Sequence, residues 1–455
     1  MPKVIKIRRG LDISLKGKAE KVLSKTAKVA HYAVKPVDFP HLVPKLTVRE
    51  GDTVLAGAPL FVDKYLPEVR YVSPVSGTVT AIVRGDKRRL LEVTVTPDAE
   101  QQHLAHPVID LATCSREQVV SLMLESGVWP FLKQRPFGVV AHPGDRPKAI
   151  FISGFDTAPL APDIDYVLTG EGEAFQKGID VLRKLCDTIY LGLNDQLAAI
   201  SIFRKTKGVE TNTFIGPHPA GNVGVQIYHI SPLNKGEKVW TVDPQHIVSL
   251  GRLFLKGIYD VSKVIALVGS EVKKPRYYRM IAGAAVSCVE EHIVKTNRPR
   301  YISGNALSGT NIGAAGHLGF YDSLLTILPE GDKYEFLGWL NPLRLHRYSV
   351  SRSSFSWIFP DREYALDTNI NGGVRAFVVN GEYEKVLPMD IYPVYLLKAI
   401  LASDIDKMEQ LGIYEVLEED LALCEFVCTS KIPVQQILRK GIGEIYEELR
   451  IKKGE

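Results

Sequence analysis

The chain has 455 residues, enough for three or four domains. Hydrophobic residues make up 45% and charged residues 24%, while 56 Lys plus Arg against 52 Asp plus Glu leave a net charge of only +4. These figures exclude a largely disordered chain and a strongly basic nucleic-acid binder, and no run of about 20 uncharged apolar residues predicts a bilayer-spanning helix.

The N-terminus opens on a basic stretch. Residues 1–28 hold nine basic side chains (Lys3, Lys6, Arg8, Arg9, Lys16, Lys18, Lys21, Lys25, Lys28) and two acids, Asp12 and Glu20. No apolar segment follows the first cations, so a secretory signal is not expected. Such a stretch is either a solvated face or an arm attracted to anionic lipid or an acidic partner. From Lys45 to Thr96, short apolar runs separated by Gly and Pro turns predict an all-β unit: Leu46–Val48, Val54–Leu55, Leu60–Val62, Val69–Val72, Thr78–Val83 and Leu91–Thr96.

Between His106 and Gly257 the period changes. Helical spacing covers Glu117–Leu124 and Ala174–Leu185, the latter with Phe175, Ile179, Leu182 and Leu185 on one face. Apolar runs at Ala149–Ile152, Tyr166–Leu168, Thr188–Leu191 and Lys238–Val242 read as strands between them. Strands alternating with helices predict a mostly parallel sheet covered on both faces. From Ser262 to Glu330 the pattern predicts strands Lys263–Val268 and Tyr277–Ile281, a helix Val289–Thr296 and a strand Ser323–Ile327, a small mixed β-grasp-like module. After Arg352 the pattern is helical at Val394–Ala402, Asp404–Leu411 and Pro433–Arg450, with Pro433 as first helical residue. Within this part, residues 404–425 carry eight acids against Lys407 alone.

The usual cofactor motifs are missing. No Gly-x-Gly-x-x-Gly follows a strand, and Gly313-Ala-Ala-Gly316-His-Leu-Gly319 has the spacing of a tight turn. There is no P-loop, His-Glu-x-x-His or Gly-x-Ser-x-Gly, and no iron–sulfur run of cysteines. Five cysteines fit a reducing cytoplasm, and Cys424 and Cys428, one helical turn apart, read as buried thiols.

Three segments carry a family resemblance. They are Ile5-Lys-Ile-Arg-Arg-Gly-Leu-Asp-Ile13 with Gly17-Lys18-Ala19, continuing through Glu50-Gly-Asp52, Leu60-Phe-Val-Asp-Lys64, Val72-Ser-Pro-Val-Ser-Gly-Thr-Val79 and Arg84-Gly-Asp-Lys-Arg88; Gly216-Pro-His-Pro-Ala-Gly-Asn222 with His229; and Glu418-Glu-Asp-Leu-Ala-Leu-Cys424 running into Phe426-Val-Cys428. In this order they resemble the A subunits of the sodium-translocating NADH:quinone oxidoreductase over nearly the whole chain. The related C subunit of the Rnf electron-transport complex carries iron–sulfur cysteines that have no counterpart here.

The resemblance implies a multidomain α/β protein: a basic arm at 1–36, a lipoyl/biotinyl-like β barrel at 37–100, a Rossmann-like α/β domain at 101–257, a β-grasp module of the soluble-ligand-binding type at 258–330, and a mainly helical C-terminal extension at 331–455. It implies a peripheral subunit on the cytoplasmic face of the bacterial inner membrane. The complex would pass electrons from NADH to quinone and export sodium, with flavins and iron–sulfur centres in partner subunits and no cofactor on this chain. Asp63-Lys64 stands near the place of a carrier lysine, but Tyr65-Leu-Pro-Glu68 does not continue it as a two-residue hairpin, so Lys64 is expected unmodified.

A quinone ring needs an apolar slot, and its two carbonyls need donors. Trp129, Phe131, Arg135 and Phe137 combine both within nine residues, although Trp129 and Phe131 also suit a loop pinned to a core. His218, in Gly216-Pro-His-Pro, stands as a proton carrier near pH 7 or as part of a structural turn. Asp156 follows a predicted strand, where open α/β sheets bind ligands, and suits a cap equally well. Ser303-Gly-Asn305-Ala-Leu-Ser308-Gly309 is expected to pack at an interface. No catalytic or metal-ligating residue is expected.

Overall fold

The computed structural model describes residues 3–25, 28–196, 201–294, 298–332 and 342–453. Its strands form four sheets. Gly- and Pro-punctuated runs near the N-terminus build two of them, one of four strands (Tyr32–Val34, Leu90–Pro97, Gly77–Arg84, Thr53–Val54) and one of three (Pro44–Leu46, Pro59–Asp63, Arg70–Val72). Every pair in them is antiparallel. Val79 is buried between exposed Thr78 and Thr80, as one-sided alternation requires, whereas the neighbours Leu60 and Phe61, and Val93 to Val95, are buried in succession because both faces of those strands are covered there.

The third sheet runs in the order Val4–Lys6, Glu210–Ile215, Ile189–Asn194, Ile150–Ser153, Val239–Thr241, Lys133–Arg135, Val139–Val140. Its first five strands are parallel and the last two pairings antiparallel. Both faces are covered. Ile150 and Ile152 join the main core with Phe175 and Ile247, while Phe151 points the other way onto Ile227 and Leu233. Helices Gly172–Leu185 and Pro244–Lys256 lie so close that a Cβ on Gly251 would stand 1.7 Å from the Ala174 carbonyl oxygen.

The fourth sheet is mixed, in the order Thr310–Asn311, Pro299–Ser303, Leu324–Pro329, Ser262–Val268, Arg276–Ile281, Glu20–Ser24. C-terminal helices Glu382–Val386, Pro393–Leu401, Ile405–Gln410, Ala422–Val427 and Val434–Lys453 complete the molecule. Residues 1–36, read as an arm, contribute a strand to three of the sheets: Val4–Lys6, Glu20–Ser24 and Tyr32–Val34.

Four local expectations need correction. Tyr166–Leu168 is no strand: Ile164–Val167 is a helical turn, because Asp163 caps it by accepting the Tyr166 N–H at 3.0 Å. In place of a helix at Val289–Thr296 stands a 3-10 turn at Val286–His292, and Lys295 and Thr296 lie outside the described residues. The chain beyond Arg352 becomes α-helical only at Glu382, with a single 3-10 turn at Phe355–Ile358 before it among the described residues. Pro433 precedes the last helix instead of opening it, its carbonyl accepting the Ile437 N–H at 3.0 Å.

Candidate functional site

Strand Ile150–Ser153 has Ile189–Asn194 on one side and Val239–Thr241 on the other. The chain turns from the first strand toward one neighbour and reaches the other much later, so the loops leaving their carboxyl ends diverge. A crevice opens where the strand order reverses, the usual ligand position in open α/β sheets. A cavity of about 200 Å³ lies there. Phe155 and Asp156 line it from the loop after one strand, Val242 and Asp243 from the loop after the other, and His218 from a third loop. Lys133, Asn305, Leu307, Ser308 and Glu419 close it from the antiparallel edge, the mixed sheet and the C-terminal unit.

Local hydrogen bonds fix these side chains. Asp243 caps helix Pro244–Lys256 by accepting the Gln245 N–H at 2.8 Å, with Pro244 in the first helical position. Asp156 accepts the Ala158 N–H at 2.8 Å. The N-terminal segment clamps the His218 loop: Asp12 accepts the His218 N–H, and the Leu11 N–H donates to the His218 carbonyl, both at 2.8 Å. Gly10 makes this approach possible, since a Cβ on it would stand 2.1 Å from that carbonyl oxygen. The His218 ring shares a 3.1 Å hydrogen bond between Nδ1 and the Thr157 hydroxyl.

Charge in the crevice is mixed and confined. The surrounding protein desolvates Asp156 and raises its carboxyl pKa, against the Ala158 N–H, with the Asp243 and Glu419 carboxylates adding to the rise although its side chain still opens to the cleft. Desolvation raises Asp243 also, opposed by the ammonium groups of Lys263 and Lys133. Lys133 lies over the Tyr321 ring, 4.6 Å from its centroid. Burial pushes the His218 imidazole down to about 4, so the ring is neutral at pH 7. That removes the expectation of a proton carrier at neutral pH and leaves a neutral hydrogen-bonding ring.

The structure separates the six candidates. Asp156 and His218 reach the crevice. Trp129 and Phe131 are buried in the core: the Trp129 indole N–H donates to the Ala141 carbonyl at 2.7 Å, and Phe131 stacks on His246 at 4.6 Å. Arg135 is buried, bonding Asp420 at 2.6 Å and Glu419 more closely still, so its guanidinium is engaged by carboxylates. Against its desolvation, that guanidinium holds the Glu419 carboxyl below its usual range. Phe137 packs edge-on against Tyr414 and Tyr446 of the C-terminal unit. Lys133 belongs to the cationic, aromatic loop and Asn305 and Ser308 to the Gly- and Ser-rich segment that the sequence marks, whereas no pattern points to Asp243 or Glu419 as a ligand contact. Asp243-Pro244 carries a helix-start signal, but nothing local marks the convergence of the others. Among the described residues no group of His, Cys, Asp and Glu converges as a metal site.

Three family models match in chain order. They are the NqrA N-terminal barrel-sandwich hybrid domain at 5–98, the NqrA second alpha/beta domain at 114–259 and the NQRA C-terminal domain at 264–313. Proteins named as the A subunit of the Na(+)-translocating NADH-quinone reductase match along their whole length. That of Yersinia pestis bv. Antiqua (strain Angola) is 37% identical over 450 residues, 98% of this chain and 100% of the relative. The chain belongs to this NqrA family. The relative from Pseudomonas aeruginosa (strain UCBPP-PA14) is 38% identical over 451 residues, and that from Photorhabdus laumondii subsp. laumondii 34% over 448, each again 98% of this chain and all of the relative. A barrel-sandwich domain followed by an α/β domain is therefore the family's arrangement here. A solved NAD+-reducing [NiFe]-hydrogenase is similar to 75% of this chain and 65% of its own at 13% identity and a TM-score of 0.36, too distant to bear on fold or function.

Proposed function

We propose that this chain serves a complex that oxidises NADH, reduces quinone and exports sodium ions, as a peripheral subunit on the cytoplasmic face of the bacterial inner membrane. It docks partner subunits, which carry the NADH site, flavins and iron–sulfur centres, and it contributes to binding quinone. The full-length likeness to proteins of that name carries the reading. Two facts accompany it: among the described residues no helix is long and apolar enough to cross a membrane, and residues from widely separated segments, Lys133, Asp156, Asp243, Asn305 and Glu419, line a shared crevice. The finer fold assignments belong to the same reading: a lipoyl/biotinyl-like barrel, a Rossmann-like parallel sheet and a β-grasp-like mixed sheet.

In this reading the quinone ring enters the switch-point crevice. Phe155, Val242 and Leu307 offer apolar walls, and Lys133 and Ser308 offer donors to the carbonyl oxygens. Lys133 strengthens its bond as a carbonyl gains electron density on reduction, as a charged donor does. Asp156 and His218 line the same space, whereas Trp129, Phe131 and Arg135 hold the walls in place. A volume of about 200 Å³ takes a ring but not an isoprenoid tail, which then leaves toward a partner.

Calorimetric titration of the purified chain with a short-tailed ubiquinone tests this. Lys133→Met should weaken binding by about 1.5–3 kcal/mol, the loss of one charged hydrogen bond. Absence of binding to the wild-type chain, with assembly into the complex intact, would leave it the role of docking partners without a ligand.

A further inference from the structure

Loop residues 342–360 have an inverted burial pattern. Phe355, Trp357, Ile358 and Phe359 are 43%, 49%, 53% and 49% exposed, whereas Ser354 and Ser356 between them are 6% and 1% exposed. The inversion is built in. The Ser354 hydroxyl donates to the Arg344 carbonyl at 2.7 Å, the Phe355 N–H donates to the Pro342 carbonyl at 2.8 Å, and the Ser356 carbonyl accepts the Tyr364 hydroxyl at 3.3 Å. Serines and backbone are thus used inward, and the large apolar side chains are turned out. Leu343 and Val350 of the same loop are exposed as well.

Charge accompanies the apolar side chains. From Pro342 to Tyr364 there are four arginines (Arg344, Arg347, Arg352, Arg362) against two acids, Asp361 and Glu363. Arg347 is held by Asp367, outside the stretch, at 2.9 Å. Arg352 lies over the Trp357 ring, 5.5 Å from its centroid. The loop is also stitched to the basic N-terminal stretch: the Tyr364 N–H donates to the Ser14 carbonyl at 2.8 Å and the Lys16 N–H to the Tyr364 carbonyl at 2.9 Å. Exposed Lys16 and Lys18 follow directly.

We propose that this face docks on an anionic bilayer surface, with Trp357, Ile358 and Phe359 entering the headgroup layer and Arg352, Lys16 and Lys18 meeting lipid phosphates. Tryptophan and phenylalanine beside arginine, in a loop whose cations outnumber its acids, suit that layer, where rings find an apolar boundary and cations find phosphate. A second copy meeting it through the same face would bring positive charge against positive charge, whereas an anionic bilayer supplies the opposite charge and the apolar boundary together. The inference goes beyond the family reading and needs no partner chain, so its failure would leave membership of the complex untouched.

The test is sedimentation of the full chain with vesicles of phosphatidylcholine alone or mixed with phosphatidylglycerol. Binding to mixed vesicles should exceed binding to neutral ones by about tenfold and fall at high salt. Trp357→Ser with Phe359→Ser should lower it by about tenfold without lowering the melting temperature, as these side chains are exposed. In the wild type, brominated lipid should quench a component of tryptophan emission that is missing in Trp357→Phe. No binding to mixed vesicles at low salt would overturn the inference and return the face to a protein partner. Binding that the double substitution leaves unchanged, or quenching that Trp357→Phe leaves unchanged, would overturn insertion.

Discussion

Arg135 Nη1 donates to Asp420 Oδ2 at 2.6 Å across 285 residues of sequence, between two side chains almost wholly withdrawn from water. The bond ties the antiparallel edge of the parallel-strand sheet to the C-terminal unit. Gly224 gives it room, for a Cβ there would stand 2.3 Å from Asp420 Oδ2 and 2.5 Å from the guanidinium.

Arg135→Gln should therefore act on stability. It leaves the Asp420 carboxylate buried without its cation, which costs about 3–5 kcal/mol for such pairs, and thermal unfolding should show a lower midpoint. Gly224→Ala should lower it too by forcing the pair apart. An unchanged melting point together with lost quinone affinity would return Arg135 to the ligand site.

His218 predicts a pH dependence with a definite sign. The unfolded ring takes up a proton near pH 6.5 and the folded one only near 4. Between those values unfolding binds a proton, so stability rises with pH across the window and is lost on acidification, by about 3 kcal/mol in all. Above pH 6.5 the group contributes no slope. His218→Gln should flatten denaturant-measured stability between pH 4.5 and 6.5 by roughly that amount. Parallel wild-type and variant curves would assign the slope to another group.

The five thiols should divide by accessibility. Cys288, Cys424 and Cys428 are buried, and burial raises the Cys424 thiol pKa far above its ordinary value. Cys114 and Cys186 are half-buried. Mass spectrometry after brief alkylation of the native chain should find label on Cys114 and Cys186 first, and on the other three only after denaturation. Early label on Cys424 would show that the C-terminal helices open readily.

Gly10→Ala should disturb the crevice from a distance. Gly10 has φ of 149° and no space for a Cβ beside the His218 carbonyl. The substitution should cost about 2–4 kcal/mol and move the His218 loop, so amide exchange at His218 and Gly221 should quicken. Unaltered exchange with unaltered stability would mean that the N-terminal clamp is dispensable.

Periodicity makes much of the fold legible. Ile150, Phe151 and Ile152 announce a strand covered on both faces, and Phe175, Ile179, Leu182 and Leu185 announce a helix face, because those signals are local. Tyr166–Leu168 misleads because an apolar triplet reads alike in a strand and in a capped turn, and Asp163 decides between them. Of the crevice, Asp156 and His218 are visible as residues beside strands and tight turns. Lys133 and Asn305 stand in segments the sequence marks, but their meeting with Asp156, like the arrival of Glu419, is not visible, since these residues lie far apart along the chain. Arg135 looks like an open donor because its carboxylate partners lie nearly 300 residues further on.

The strands within the first 36 residues set a schedule for synthesis. Glu20–Ser24 has no partner until Arg276–Ile281 emerges, and Val4–Lys6 none until Glu210–Ile215 does. At about 5–20 residues per second, the earlier strand waits on the order of ten seconds or more with its edge groups unpaired. Closing these long loops is entropically costly and slow, so the parallel-strand sheet and the mixed sheet gain their N-terminal strands late in elongation, whereas the two antiparallel sheets, whose strands all lie between Tyr32 and Pro97, can pair early. A ribosome pausing just before Arg276 should therefore leave a nascent chain whose Glu20–Ser24 strand is open to proteases, and one pausing well after Ile281 a chain in which it is protected.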